Sequence, residues 1–272
     1  MSWSERQRLM LRTMGMVTWA PRVPAVPAPA AVVAPAPLAV AAAAARPAPT
    51  PDVVRAPAAA PPAPAEAGND RSRQIATLDW PALRDSVAAC RACALCETRR
   101  QTVFGVGDTA AGWMIVGEAP GEQEDRLGEP FVGAAGQLLD SMLRALALTR
   151  RTDGPEPPAR RVYIANTLKC RPPGNRNPTP AEMQACEPFL MRQVALLKPR
   201  LILAMGRFAV QALLRSSEPV GRLRGKVHQY EGVPLVVTYH PAYLLRNLPD
   251  KAKAWDDLCL AAQVAEKGAA AG

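Results

Sequence analysis

Residues 113–148 read WMIVGEAPGEQEDRLGEPFVGAAGQLLDSMLRALAL, and the reading of this stretch decides the fold. Trp113–Gly117 is a short apolar run that ends in glycine, the pattern of a strand buried on both faces. Gly136–Leu148 carries apolar residues at helical spacing. Downstream the alternation repeats. RVYIANTL (Arg161–Leu168) reads as a second strand. A helix follows, with Thr179 as N-cap, Pro180 at the first helical position and Glu182 three residues after the cap. RLILAMG (Arg200–Gly206) reads as a third strand, followed by a helix through Leu214. PLVVTYH (Pro234–His240) reads as a fourth strand, and Asp250–Ala265 as a closing helix. Upstream, a helix is predicted over Asp79–Cys90. Strands alternating with helices predict an α/β fold: three layers, α/β/α, around a central, mainly parallel four-stranded sheet.

The 272 residues do not all share this pattern. Residues 1–22 form a short basic arm with Trp3 and Trp19. Residues 23–72 read as a disordered Ala/Pro-rich linker; residues 21–66 hold 13 of the 29 prolines, a composition that buries too little apolar surface to offset chain entropy. Residues 73–272 are left as one folded domain. The prolines also break the alanine-rich run 25–45, so no membrane span is expected and the chain is read as cytoplasmic. There structural disulfides are rare, and the six cysteines call for another explanation. The formal net charge of +9 suits a polyanion such as nucleic acid, through phosphate neutralisation.

In parallel sheets ligands bind outside the carboxyl ends of the strands. Three polar motifs fall there: GEAPG at 117–121, Asn166 late in the second strand, and HPAY at 240–243. The GEAPG turn has neither G-K-[ST] nor G-x-G-x-x-G, which argues against nucleotide cofactors. Its backbone N–H groups can face a ligand, and Glu118, Glu122 and Glu124 can position or activate water. Phe131, among small residues, is a candidate stacking platform. His240 stands where a strand ends at Pro241, a placement suited to catalysis. Cys90, Cys93 and Cys96 form the run CRACALC, while Cys170 and Cys186 lie far downstream. Four thiolates from two distant pairs can hold zinc or an iron–sulfur cluster; the second pair does not have zinc-ribbon spacing. Cys259, on the apolar side of the last helix, reads as packing.

Taken together, the pieces CRAC, QTVFGVGD, MIVGEAPGEQEDRLGEPFVGAAGQLLD, YIANTLKCRPPGNRNPTPAE, LRGK and YHPAYLLRN, in this order, resemble the family 4 uracil-DNA glycosylases, the iron–sulfur branch of their superfamily. The resemblance spans about Cys90–Trp255 and leaves the N-terminal arm and linker outside. It implies a [4Fe–4S] cluster on Cys90, Cys93, Cys170 and Cys186, with Cys96 the odd one out. Phe131 would stack on a flipped uracil, and Asn166 would read its Watson–Crick edge, since one carboxamide offers both a donor and an acceptor. His240 would stabilise the departing uracil anion. Glu118 and Glu124, with the Gly117–Ala119 backbone, would line the pocket and hold the attacking water. Lys169, Arg171, Arg176, Arg224, Lys226 and Arg246 would hold phosphates.

The implied activity is base-excision repair: hydrolysis of the N-glycosidic bond in uracil-containing DNA, single- or double-stranded, without strand cleavage, by a monomer associated with the nucleoid. The arm is read as docking a partner protein. A non-catalytic iron–sulfur module that binds nucleic acid beside a polymerase is the alternative. It would keep the cysteines but have no need of Asn166 and His240 together.

Overall fold

A computed structural model of the chain describes residues 65–270. The amino-terminal arm and residues 23–64 lie outside the described residues. One correction concerns the linker boundary. A helix, α1, runs Ala65–Thr77, so residues 65–72 are helical rather than linker. Ile75 on that helix is buried, which gives it a packed face despite its polar composition.

The remaining elements are α2 (Trp80–Ala88), α3 (Leu95–Thr98), β1 (Val106–Gly107), β2 (Trp113–Gly117), α4 (Glu122–Leu127), α5 (Ala134–Ala145), β3 (Val162–Asn166), α6 (Pro180–Leu197), β4 (Leu201–Met205), α7 (Arg207–Leu214), α8 (Val220–Leu223), β5 (Val227–Tyr230), β6 (Val233–Thr238), α9 (Pro241–Leu244) and α10 (Asp250–Ala270). The predicted capping box at Thr179 is formed, and Asp79 supplies a further cap. Asp79 accepts the Ala82 N–H at 2.9 Å. Thr179 and Glu182 exchange both capping-box hydrogen bonds. No described helix is long and apolar enough to cross a membrane.

The sheet has six strands, in the order β1-β3-β2-β4-β6-β5, rather than the four expected. The four expected strands β3, β2, β4 and β6 are mutually parallel. The two additional strands pair antiparallel on the edges. β1 has only two residues, and β5 buries little on either face, so neither carries an apolar run.

Alternate residues of the parallel strands feed opposite faces, as the two-residue strand period requires. Trp113, Ile115, Ile164, Leu203 and Val236 join Leu139, Met142 and Leu143 of α5 and Trp255 and Leu258 of α10 in one core. Met114, Val116, Tyr163, Ile202 and Val237 join Leu190 and Val194 of α6 and Val210 and Leu213 of α7 in the other. Each fully buried aliphatic side chain contributes about 1.5–3 kcal/mol. A third cluster, away from the sheet, gathers Ile75, Leu83, Val87, Phe189, Cys170 and Cys186.

From β2 the chain steps to β3 on one side, then crosses to β4 on the other. The crevice outside the carboxyl ends of β2 and β4 is therefore the topological switch point where such sheets bind ligands.

Candidate active site and cysteine centre

Parallel register places Gly117, the last residue of β2, opposite Asn166, the last residue of β3. A Cβ on Gly117 would overlap Asn166 Oδ1 and lie 2.6 Å from Phe131 Cζ. Only a glycine lets the carboxamide and the phenyl ring close on the strand end together. Asn166 is 3% exposed, and its Oδ1 is one of three buried side-chain polar atoms among the described residues that have no hydrogen-bond partner. An unpaired buried acceptor costs about 1–3 kcal/mol, so it marks a place where a donor is expected.

Phe131 is buried and adopts φ 56°, a left-handed conformation rare for a bulky residue. Two groups hold it there. Arg150 donates to the carbonyls of Pro130 and Phe131, both at 2.9 Å, and to Asp140 at 2.7 Å. Glu124 Oε1 accepts the N–H groups of Val132 and Gly133 at 3.0 and 3.2 Å, while Oε2 accepts from Gly121 at 3.1 Å. Both Glu124 oxygens thus accept from backbone, and the carboxylate braces the turn that carries Phe131. Arg150 has no local sequence signal, because its targets lie 10–20 residues away.

His240 caps α9, its Nδ1 accepting the Ala242 N–H at 3.2 Å. That bond assigns the tautomer: the proton of the neutral ring sits on Nε2, which is left as a donor. The imidazole stacks on Phe131, with centroids 5.3 Å apart and planes inclined 28°. Burial, helped by the positive charge of Arg246 and opposed by Glu124, holds its pKa down at about 4. Across the switch point, a Cβ on Gly206 would lie 3.0 Å from His240 Cβ and 3.6 Å from Glu118 Oε2, so the two side chains share one cleft. Burial pushes the Glu118 carboxyl up to about 7, against the pull of Arg207. A carboxyl poised near neutrality in a cleft is suited to proton transfer. Ala119 packs toward the cluster of Cys170, Cys186 and Phe189.

The cysteines come together. Cys90, Cys93, Cys96, Cys170 and Cys186 line one cavity with Arg99, Lys169 and Phe189. Three donors point at sulfur: Arg71 Nη2 to Cys90 at 3.6 Å, Arg99 Nη1 to Cys170 at 3.1 Å, and the Lys169 backbone N–H to Cys186 at 3.2 Å. Such donors suit thiolates. Burial pushes the Cys186 thiol up to about 12 and also raises those of Cys93 and Cys170. Among the described residues no three His, Cys, Asp or Glu side chains converge to hold a single ion. Thiols spread around a cavity fit a polynuclear group.

The six cations expected to hold phosphate divide. Lys169 is 1% exposed and donates to Asn166 O at 2.8 Å and Gln193 Oε1 at 2.6 Å. Arg224 pairs with the fully buried Asp257 at 3.0 Å. Arg176 grips Glu182 through both oxygens and holds that carboxyl down at about 2. Lys169 is too deeply buried to meet a phosphate, which corrects the expectation for that residue, while Arg224 and Arg176 are each engaged by a carboxylate. Arg171 bonds Asn175 and Glu122. Lys226 and Arg246 are exposed. The exposed Leu245 and Leu248 flank Arg246 just past His240, a feature that apolar periodicity does not reveal.

A model of the uracil DNA glycosylase superfamily matches residues 104–259. The Type-4 uracil-DNA glycosylase of Pyrobaculum aerophilum is 43% identical over 178 residues, covering 62% of this chain and 86% of that protein. The Type-4 enzyme of Archaeoglobus fulgidus is 44% identical over 58% of this chain and 79% of its own length. That of Thermotoga maritima is 41% identical over 60% and 81%.

Proposed function

This chain belongs to the uracil-DNA glycosylase superfamily, and we propose that it hydrolyses the N-glycosidic bond of deoxyuridine in DNA, releasing uracil and leaving an abasic site. The observation that carries this reading is the buried, unpaired Asn166 Oδ1 beside Phe131 and His240. Uracil offers an N–H and a neighbouring carbonyl on one edge, and a carboxamide matches both. The base must leave the duplex to reach such a site. Leu245 and Leu248 are suited to fill the gap it leaves, with Arg246 and Lys226 on phosphates.

With uracil stacked on Phe131, the bond to the sugar breaks with its electron pair moving to the base. His240 Nε2–H donates to the carbonyl on which charge accumulates, a bond that strengthens toward the transition state. Because the ring is held neutral, it acts as a hydrogen-bond donor rather than as a strong acid. Glu118, as the carboxylate, orients water and takes its proton as the oxygen bonds to the sugar carbon.

The five-thiol cavity fits a [4Fe–4S] cluster on Cys90, Cys93, Cys170 and Cys186. When bound, the cluster supplies a tie between the segment before β1 and the chain on either side of the β3–α6 loop. The reading puts the enzyme with the chromosome, as a monomer, its basic arm of residues 1–22 docking a partner protein while the linker gives reach.

The test is uracil release from a labelled uracil-containing oligonucleotide by the wild type, Asn166→Ala and His240→Ala. Release that falls sharply in both variants, with strand breaks only after alkali, is the expected result. A cluster-loaded wild type that binds DNA and releases nothing would overturn the reading in favour of a binding module.

A further inference from the structure

Lys169 joins the two centres. Its backbone N–H donates to Cys186 Sγ, its neighbour is Cys170, and it lines the cysteine cavity. Its Nζ donates to the carbonyl of Asn166, the residue whose side chain faces the pocket, and to Gln193 Oε1. Gln193 is itself fixed by its donation to Phe104 O at 2.9 Å and to Tyr163 Oη at 3.2 Å. Among the described residues no carboxylate pairs with this ammonium, although it is completely buried. A buried cation with only neutral acceptors is costly unless negative charge lies near. Four thiolates around an iron–sulfur centre supply that charge.

We propose that Lys169 is a positioning residue that couples the cysteine centre to base reading: the thiolate cage holds its charge, and its Nζ in turn fixes the backbone of Asn166. This rests on the glycosylase reading and on the cluster fitting its cavity. It gives the cluster a consequence at the pocket without placing it in the reaction. The end of β3 is where the coupling acts. Freed from Nζ, the Asn166 carbonyl loses its donor, and the carboxamide one residue from the loop loses its fixed aim.

Two variants separate charge from hydrogen bonding. Lys169→Met removes both, and Lys169→Gln keeps a donor without the charge. Three quantities are read on full-length protein: visible cluster absorbance and its bleaching by a chelator, calorimetric affinity for free uracil, and affinity for an abasic-site duplex. The expected result for Lys169→Met is a retained cluster, uracil affinity reduced about tenfold or more, and unchanged abasic-duplex binding. A purely structural lesion would weaken both ligands alike. Lys169→Gln is expected to bind uracil nearly as the wild type does and to bleach faster.

Wild-type uracil affinity in Lys169→Met, or equal loss of uracil and abasic DNA, overturns the inference. If Lys169→Met cannot be obtained with its cluster, a wild-type bleaching rate in Lys169→Gln overturns it. A wild type that releases no uracil removes the functional reading and this inference with it. A wild type that turns over beside an unaffected Lys169→Met removes the inference alone.

Discussion

Glu118→Gln tests the water-activating role on two independent axes. Burial lifts this carboxyl from 4.5 to about 7. The reactive species is the carboxylate, so the wild-type rate should climb with pH through 7. One titrating group makes the change about tenfold between pH 6 and pH 8. His240, held near 4, does not titrate in that window. Glutamine cannot ionise, so the variant should be flat from pH 5.5 to 9 and slower at its plateau by about 10²–10⁴-fold.

Stability should move the other way. A carboxyl whose folded pKa exceeds its unfolded value destabilises the fold once pH rises through the folded value, and has no such effect below the unfolded one. The shift corresponds to at most about 3 kcal/mol, less whatever solvent reaches the half-buried group. Glu118→Gln should therefore melt higher than wild type at pH 8 and equally at pH 4.5. The assay is single-turnover release from a labelled oligonucleotide across pH, with melting at the two pH values. A limb near pH 7 that survives in Glu118→Gln, or a wild-type rate that does not change from pH 8 to 5.5, would refute the assignment.

Gly117→Ala should force Asn166 and Phe131 apart; overpacking of this kind costs about 1–3 kcal/mol, read as a lower melting temperature with a loss of uracil release larger than the melting shift explains. Because His240 is held at about 4, its own contribution should be level above pH 6.5 and should lower stability as pH falls from 6.5 to 4, by about 3 kcal/mol at most and opposite in sign to that of Glu118. Acid titration of His240→Asn, which keeps a capping acceptor, should lack that component. Cys96→Ser should retain full cluster absorbance and Cys170→Ser should lose it; the reverse would reassign the ligands.

The legible part of the fold was the part built from apolar runs. β2, β3 and β4 bury every residue and β6 its last four, so composition alone marks them. β1 and β5 complete the sheet through backbone pairing at its edges, which leaves little trace in side chains. The capping box was legible because Thr179 and Glu182 bond within three residues of each other. Charged residues were the least legible. A lysine in sequence looks the same whether it meets solvent, as Lys226 does, or lies wholly inside, as Lys169 does. Glu124 was read by its proximity to the glycine turn, whereas its role depends on Val132 and Gly133, which approach it only after the chain folds back.

The helix that begins at Ala65 bears on how the protein can be shortened. Composition invites a cut near residue 72, where the proline-rich character ends. Such a cut would remove Arg71, whose guanidinium lies 4.9 Å above the Phe189 ring and binds both Ala185 O and Cys90 Sγ. The first clustered thiol would then lose its donor and part of its shelter from air. A trimmed protein starting at residue 73 should fold and still lose its colour on the bench faster than one starting at 65. In that comparison the practical edge of the domain is set by sulfur chemistry rather than by the sheet.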